Sequence, residues 1–138
     1  MKRVVLDTNV VLASERSSAT TSPNREILGR WRAGEFLWLY SRDTVLEYIE
    51  KLLEHGIDET DVRRLVRALG VLGELVEIEF FHLRRYPADS DDIAFVLCAL
   101  NGRATHLVTY DGHLFEVAHE YPFVICNPLH FLVELRAP

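Results

Sequence analysis

Short apolar runs alternate with amphipathic stretches along the whole chain. Val4-Val5-Leu6 is an unbroken apolar run, partly β-branched, that stops at Asp7. Such a run reads as a strand buried on both faces. Leu107-Val108-Thr109-Tyr110-Asp111 repeats the theme late in the chain, again ending on an acid. Phe36 to Tyr40 and Phe123 to Cys126 are further apolar strands. Val76, Ile78 and Phe80 alternate with Glu77 and Glu79, which predicts an edge strand of period two. Between these runs the period is helical. Thr8 to Glu15 is a short helix capped by Asp7. Asn24 to Ala33 carries Ile27, Leu28 and Trp31 on one face and stops at Gly34. Ser41 caps a helix with Val45, Leu46, Ile49, Leu52 and Leu53 as its apolar stripe and Gly56 as its end. Asp58 starts another, with Val62, Leu65, Val66, Leu69 and Leu72 buried. Ser90 caps a helix whose first turn is Asp91-Asp92-Ile93, whose body is Ala94 to Leu100, and whose end is Asn101-Gly102. Gly112 to Ala118 and Pro128 to Leu135 complete the set. Arg16 to Pro23 is a Ser/Thr-rich loop, and Phe81 to Asp89 an irregular link.

Strands and helices alternating in this way predict an α/β fold: a three-layer α/β/α sandwich around a mostly parallel central sheet with right-handed crossovers. With 138 residues, 49% of them apolar, the chain is expected to form a single domain over residues 1–138. The net charge of −6 argues against bulk electrostatic binding of nucleic acid. It leaves room for a nuclease, because divalent ions held by an acidic cluster offset its charge and meet phosphates directly. Cys98 and Cys126 have no metal-type spacing and read as buried thiols. Nothing approaches a signal-peptide core or a membrane span, so the expected location is cytoplasmic, with no membrane partner.

Ligands in open parallel sheets gather at the carboxyl ends of the strands, near the point where strand order reverses. Asp7 and Asp111 stand at such ends. Asp91 or Asp92 opens a helix, and Glu47 lies in the second turn of another. For each acid a local role competes: Asp7 as a helix cap, Asp91 and Asp92 as partners of a helix dipole, and Glu47 on a solvated face paired with Lys51. A cleft-lining Glu47 has the same periodicity. Together, carboxylates of this kind are the natural ligands of Mg²⁺ or Mn²⁺.

The segments Asp7-Thr8-Asn9-Val10, Arg32-Ala33-Gly34, Ser41 with Glu47, Asp89-Ser90-Asp91-Asp92, and Val108-Thr109-Tyr110-Asp111 fall in the order and spacing of PIN domains. The resemblance spans Val4 to Leu132. It implies an α/β/α sandwich and a metal-dependent ribonuclease, with RNA as substrate, Mg²⁺ or Mn²⁺ as cofactor and, as in toxins of the VapC type, a small antitoxin protein as partner. A homodimer stays open. Carried over by position, the metal-binding and catalytic acids are Asp7, Glu47, Asp92 and Asp111, with Asp91 the rival for the third place. Asn9 and Thr109 match supporting polar positions, suited to orienting a metal-bound water. The chain departs from the family where Tyr110 replaces a Gly, His113 an Asp, and Ile93 a polar residue. Arg16, Arg25, Arg84 and Arg85 are basic residues available to guide RNA. His113 reads as a surface residue or a phosphate contact, and His82, His106, His119 and His130 read as structural. Two other functions remain: a non-catalytic PIN-like module that binds RNA or protein, and a haloacid-dehalogenase-type phosphatase. The phosphatase needs an acid two residues beyond Asp7, where this chain has Asn9.

Overall fold

The computed structural model describes residues 1–17, 22–83 and 86–138. Its centre is β1 (Arg3–Leu6), whose Val4, Val5 and Leu6 are fully buried. Around it run β2 (Leu37–Tyr40), β3 (Glu74–Leu75), β4 (His106–Val108) and β5 (Val124–Cys126), in the order β3-β2-β1-β4-β5 with every pairing parallel. The chain steps outward from β1 to β2 and β3, then crosses back to lay β4 on the other side of β1. Strand order therefore reverses between β1 and β4, and the crevice of the sheet opens there. This edge is where both strand-terminal acids arrive.

The helices are α1 (Thr8–Arg16), α2 (Pro23–Arg32), α3 (Arg42–Glu54), α4 (Glu59–Leu72), α5 (Ile93–Asn101), α6 (Gly112–Glu116) and α7 (Pro128–Arg136). Sheet register sorts the core into two layers. Val4 pairs with Trp38 and with His106, so these side chains share one face. There Trp31 of α2 meets Trp38 edge-on at 4.8 Å, and Phe131 of α7 meets His106 at 5.4 Å. The opposite face, carrying Leu39, receives the end of α5. At Gly102 a Cβ would lie 2.8 Å from Val76 Cγ2 and 3.0 Å from Leu39 Cδ1, so only glycine lets that helix end sit so close. His106 is buried, with Nε2 2.6 Å from Glu134 Oε2, a structural histidine as expected. Cys98 and Cys126 are free buried thiols, each pushed up to about 12 by burial.

Several expected boundaries are corrected. Val76 to Phe80 is not a strand; the third strand is the two-residue β3 just before it, paired through Leu39 with Glu74 and Tyr40 with Leu75. A side chain supplies the polar partners beyond it. Asn101 Oδ1 accepts from the backbone N–H of Glu79 and of Phe80 (2.9 and 3.2 Å), while Asn101 Nδ2 donates to Phe80 O (3.1 Å). Val76 is still buried and its N–H donates to Tyr40 O of β2 at 2.7 Å, but the ladder goes no further and Phe80 is exposed. Ser90 is not the cap of the acidic turn. Asp89 is: its side chain accepts from Asp91 N, and Ser90–Asp92 forms a single 3-10 turn ahead of α5. The fourth strand ends at Val108, two residues short of Tyr110, and α6 ends at Glu116. Of the expected Arg16 to Pro23 loop, Arg16 ends α1 and Pro23 opens α2, while residues 18–21, like Arg84 and Arg85, lie outside the described residues.

Candidate metal centre at the sheet crevice

Asp7 leaves β1 where the backbone turns into α1. Its N–H still bonds to Val108 O of β4 at 2.9 Å, so the residue is tied to both strands of the switch point. Its side chain is only 5% exposed and both oxygens are engaged. Oδ1 accepts from Thr8 N at 2.8 Å, and Oδ2 accepts from the Thr109 hydroxyl at 2.7 Å. Burial pushes its pKa up, those two hydrogen bonds pull it back in part, and the charges of Asp111 and Asp89 add to the rise. Thr109 is itself fully buried and accepts from Asp111 N at 2.9 Å. It stands behind the acids as a clamp between them.

Asp111 follows β4 and caps α6, accepting from His113 N at 2.9 Å. Asp92 closes the 3-10 turn, is 5% exposed, and has a buried Oδ2 with no hydrogen-bond partner among the described residues. Burial pushes its pKa up to about 8, helped by hydrogen bonding to Asp111 and by repulsion from Asp7, Asp111 and Asp89. The pKa of Asp111 moves the other way, lowered first by that same hydrogen bond. Near neutral pH, with no cation nearby, the two carboxyls hold one proton between them. Asp89, Asp92 and Asp111 each offer a carboxylate oxygen within 4.8 Å of the others.

All of the expected acids line one cleft of about 120 Å³: Asp7, Glu47, Asp91, Asp92 and Asp111, joined by Asp89. Asn9 is exposed on its wall, whereas Thr109 is not part of it. The expected Glu47–Lys51 ion pair is absent. Lys51 Nζ instead lies 3.4 Å from Glu54, and Glu47 is half-buried at the cleft. The pKa of Glu47 is raised by burial first and then by the charge of Asp91, which outweighs the opposing pull of Lys51. Asp91 is exposed and Asp92 buried, because the 3-10 turn directs consecutive side chains differently. Tyr110 holds its hydroxyl against the Asn24 side chain at 2.9 Å from Nδ2, and the His113 side chain is exposed. A roomier cavity of about 330 Å³ opens elsewhere, at Glu15, Arg25, Arg32, Asp61 and Arg64. Its opposed charges give it no comparable convergence of one ligand type.

Sequence reasoning passed over Asp89, Lys51 and His55. Asp89 was visible in the Asp-Ser-Asp-Asp motif but assigned no ligand role. The other two were signalled by spacing, since Glu47, Lys51 and His55 recur every four residues and so share a helix face. The donor set suits a hard divalent cation. It is all oxygen, crowded and negatively charged, and includes a buried carboxylate oxygen with no hydrogen-bond partner among the described residues.

A parallel sheet with a crevice of carboxylates at its switch point defines the class of protein. The chain belongs to the PIN domain family, whose sequence profile matches residues 3–113. The fold is similar to a chain in the crystal structure of VapBC2 from Rickettsia felis bound to a DNA fragment from their promoter. That likeness has a TM-score of 0.64 at 15% identity and covers 91% of this chain and 98% of that one. No curated protein matches in sequence. No helix among the described residues is long and apolar enough to cross a membrane.

Proposed function

We propose that this protein is a metal-dependent endoribonuclease that hydrolyses RNA phosphodiester bonds, the toxin half of a pair with a small antitoxin protein. The observation that carries the reading is the buried, unpartnered Oδ2 of Asp92 beside Asp111 and Asp89. Left alone, such a group is costly in a folded protein; a cation turns it into a ligand. Bound Mg²⁺ or Mn²⁺ would supply an activated water and charge stabilisation at the phosphate. Asp89, Asp92 and Asp111 would hold it together with Asp7, with Glu47 at the margin and Asn9 offering an amide to the substrate side. Thr109 fixes the rotamer of Asp7 and the backbone before Asp111, so it positions ligands without touching substrate. The antitoxin part of the proposal is supported by the VapBC2 likeness in fold.

The phosphatase reading fits poorly. It needs a second acid two residues beyond Asp7, and the side chain there is the amide of Asn9. Purified protein should cut single-stranded RNA with Mn²⁺ or Mg²⁺ and stop with EDTA. Cleavage that persists in Asp7→Asn would refute the assignment.

A further inference from the structure

The wall of the acidic cleft formed by α3 changes sign along its length. Glu47 stands among the acids, Lys51 follows one turn on, and His55 one turn beyond that; all three line the cleft. Four residues of helix advance about 6 Å, comparable to the separation of neighbouring phosphates on an extended strand. We infer that Lys51 and His55 form the seat for a substrate phosphate adjacent to the one that reaches the carboxylates. This rests on the ribonuclease reading above and adds to it the direction in which the nucleic-acid backbone runs through the cleft.

Three observations carry the inference. First, Lys51 is not consumed by Glu47, and Glu47 feels Asp91 more strongly than Lys51. The partner Lys51 does have, Glu54, is 58% exposed, and an ion pair that open to water holds an ammonium only weakly. The ammonium is therefore available to a phosphate. Second, His55 Nδ1 lies 2.8 Å from Lys51 O. A carbonyl only accepts, so Nδ1 carries a proton and the ring is held in place; Nε2 then donates to a phosphate oxygen when the ring takes up its second proton, as an approaching phosphate favours. Third, an ammonium and an imidazole are the cleft's only basic side chains among the described residues, and both stand at the Glu47 end of the cleft. A polyanion entering a cleft of six carboxylates is repelled except where metal or these groups meet it. A plain structural role predicts something different: cations in the last turn of a helix complement its dipole, which affects stability and not substrate.

The test is steady-state cleavage of a short single-stranded RNA in Mn²⁺ across a range of salt, with the intact protein and the variants Lys51→Ala, Lys51→Arg and His55→Ala. For Lys51→Ala, KM should rise about 3- to 10-fold with kcat within about twofold, and the slope of log KM against log salt should flatten by about 0.7. Lys51→Arg should restore most of both, and His55→Ala should raise KM about twofold. The Mn²⁺ midpoint of thermal stabilisation should stay at the wild-type value in all three. Unchanged KM and salt slope in Lys51→Ala would overturn the inference, as would a loss that tracks a shifted Mn²⁺ midpoint. If wild type neither binds nor cuts RNA, the ribonuclease reading falls and the phosphate seat falls with it.

Discussion

Replacing Asp92 by Asn removes the carboxyl whose pKa is most raised in the cleft and keeps its shape. In wild type without metal, Asp92 holds its proton up to about pH 8, against an ordinary value of 3.8. The folded protein thus binds this proton more tightly than the unfolded chain does. Its contribution to stability is fully present below about pH 4 and is lost as pH rises through about 8. A single group in that window costs about 1.4 kcal/mol for each pH unit, so at most about 3 kcal/mol between pH 5 and pH 7. Asp111 offsets part of this, because its own pKa is lowered by the same shared proton. About 1 to 2 kcal/mol should survive, or roughly 4 to 8 °C of melting temperature in a domain this size. The amide of the Asp92→Asn variant donates to Asp111 as the protonated acid does but does not titrate, so the variant should gain on wild type by that margin between pH 5 and pH 7. Glu47, also raised, acts in both proteins and cancels in the comparison, while Asp7 is relieved of its repulsion from Asp92 in the variant, which adds to the gain. Thermal melts of both proteins in EDTA, from pH 5 to pH 8, read this directly. In Mn²⁺ the order should reverse: wild type gains about 2.7 kcal/mol when free metal is a hundredfold above its dissociation constant, and the variant gains less. Parallel pH profiles in EDTA, or equal gains from Mn²⁺, would refute the picture of a buried carboxylate awaiting a cation.

Asp92→Asn should cost more RNA cleavage than Asp91→Asn, because only Asp92 is buried in the cluster; initial rates in Mn²⁺ decide, and the reverse order would move the ligand to Asp91. Asp7→Asn and Asp111→Asn should each lower cleavage by about 100-fold or more, as loss of a ligand does at least what loss of its support does. Thr109→Val leaves Asp7 Oδ2 and Asp111 N without their shared partner. It should destabilise by about 2 kcal/mol in urea unfolding and lower the rate, while Thr109→Ser should do neither. Glu47→Gln should be nearly silent in stability but should lower the cleavage rate; silence in both would return Glu47 to the solvated face.

The α/β class was legible because a parallel sheet buried on both faces needs unbroken apolar strands, and such runs stand out between helical periods. Val4 to Leu6 and Leu107-Val108 ended at acids, so two members of the cleft could be named from local pattern. Where chemistry depends on what faces what, local pattern ran out. Periodicity ranked Glu47 as a partner of Lys51, since both sit on one helix face; only the docking of α3 beside the acidic turn turned that face into a cleft wall. The choice between Asp91 and Asp92 was also closed to sequence. Adjacent residues differ by a rotation about the helix axis, and the 3-10 turn capped by Asp89 set which of them was buried. Val76 to Phe80 showed the converse. An alternating apolar pattern looks the same whether the backbone pairs with a strand or with the Asn101 side chain. The hydroxyl of Thr109 and the backbone from which it acts are far from Asp7 in sequence and 2.7 Å from it in space, a relation that exists only once β1 and β4 lie side by side.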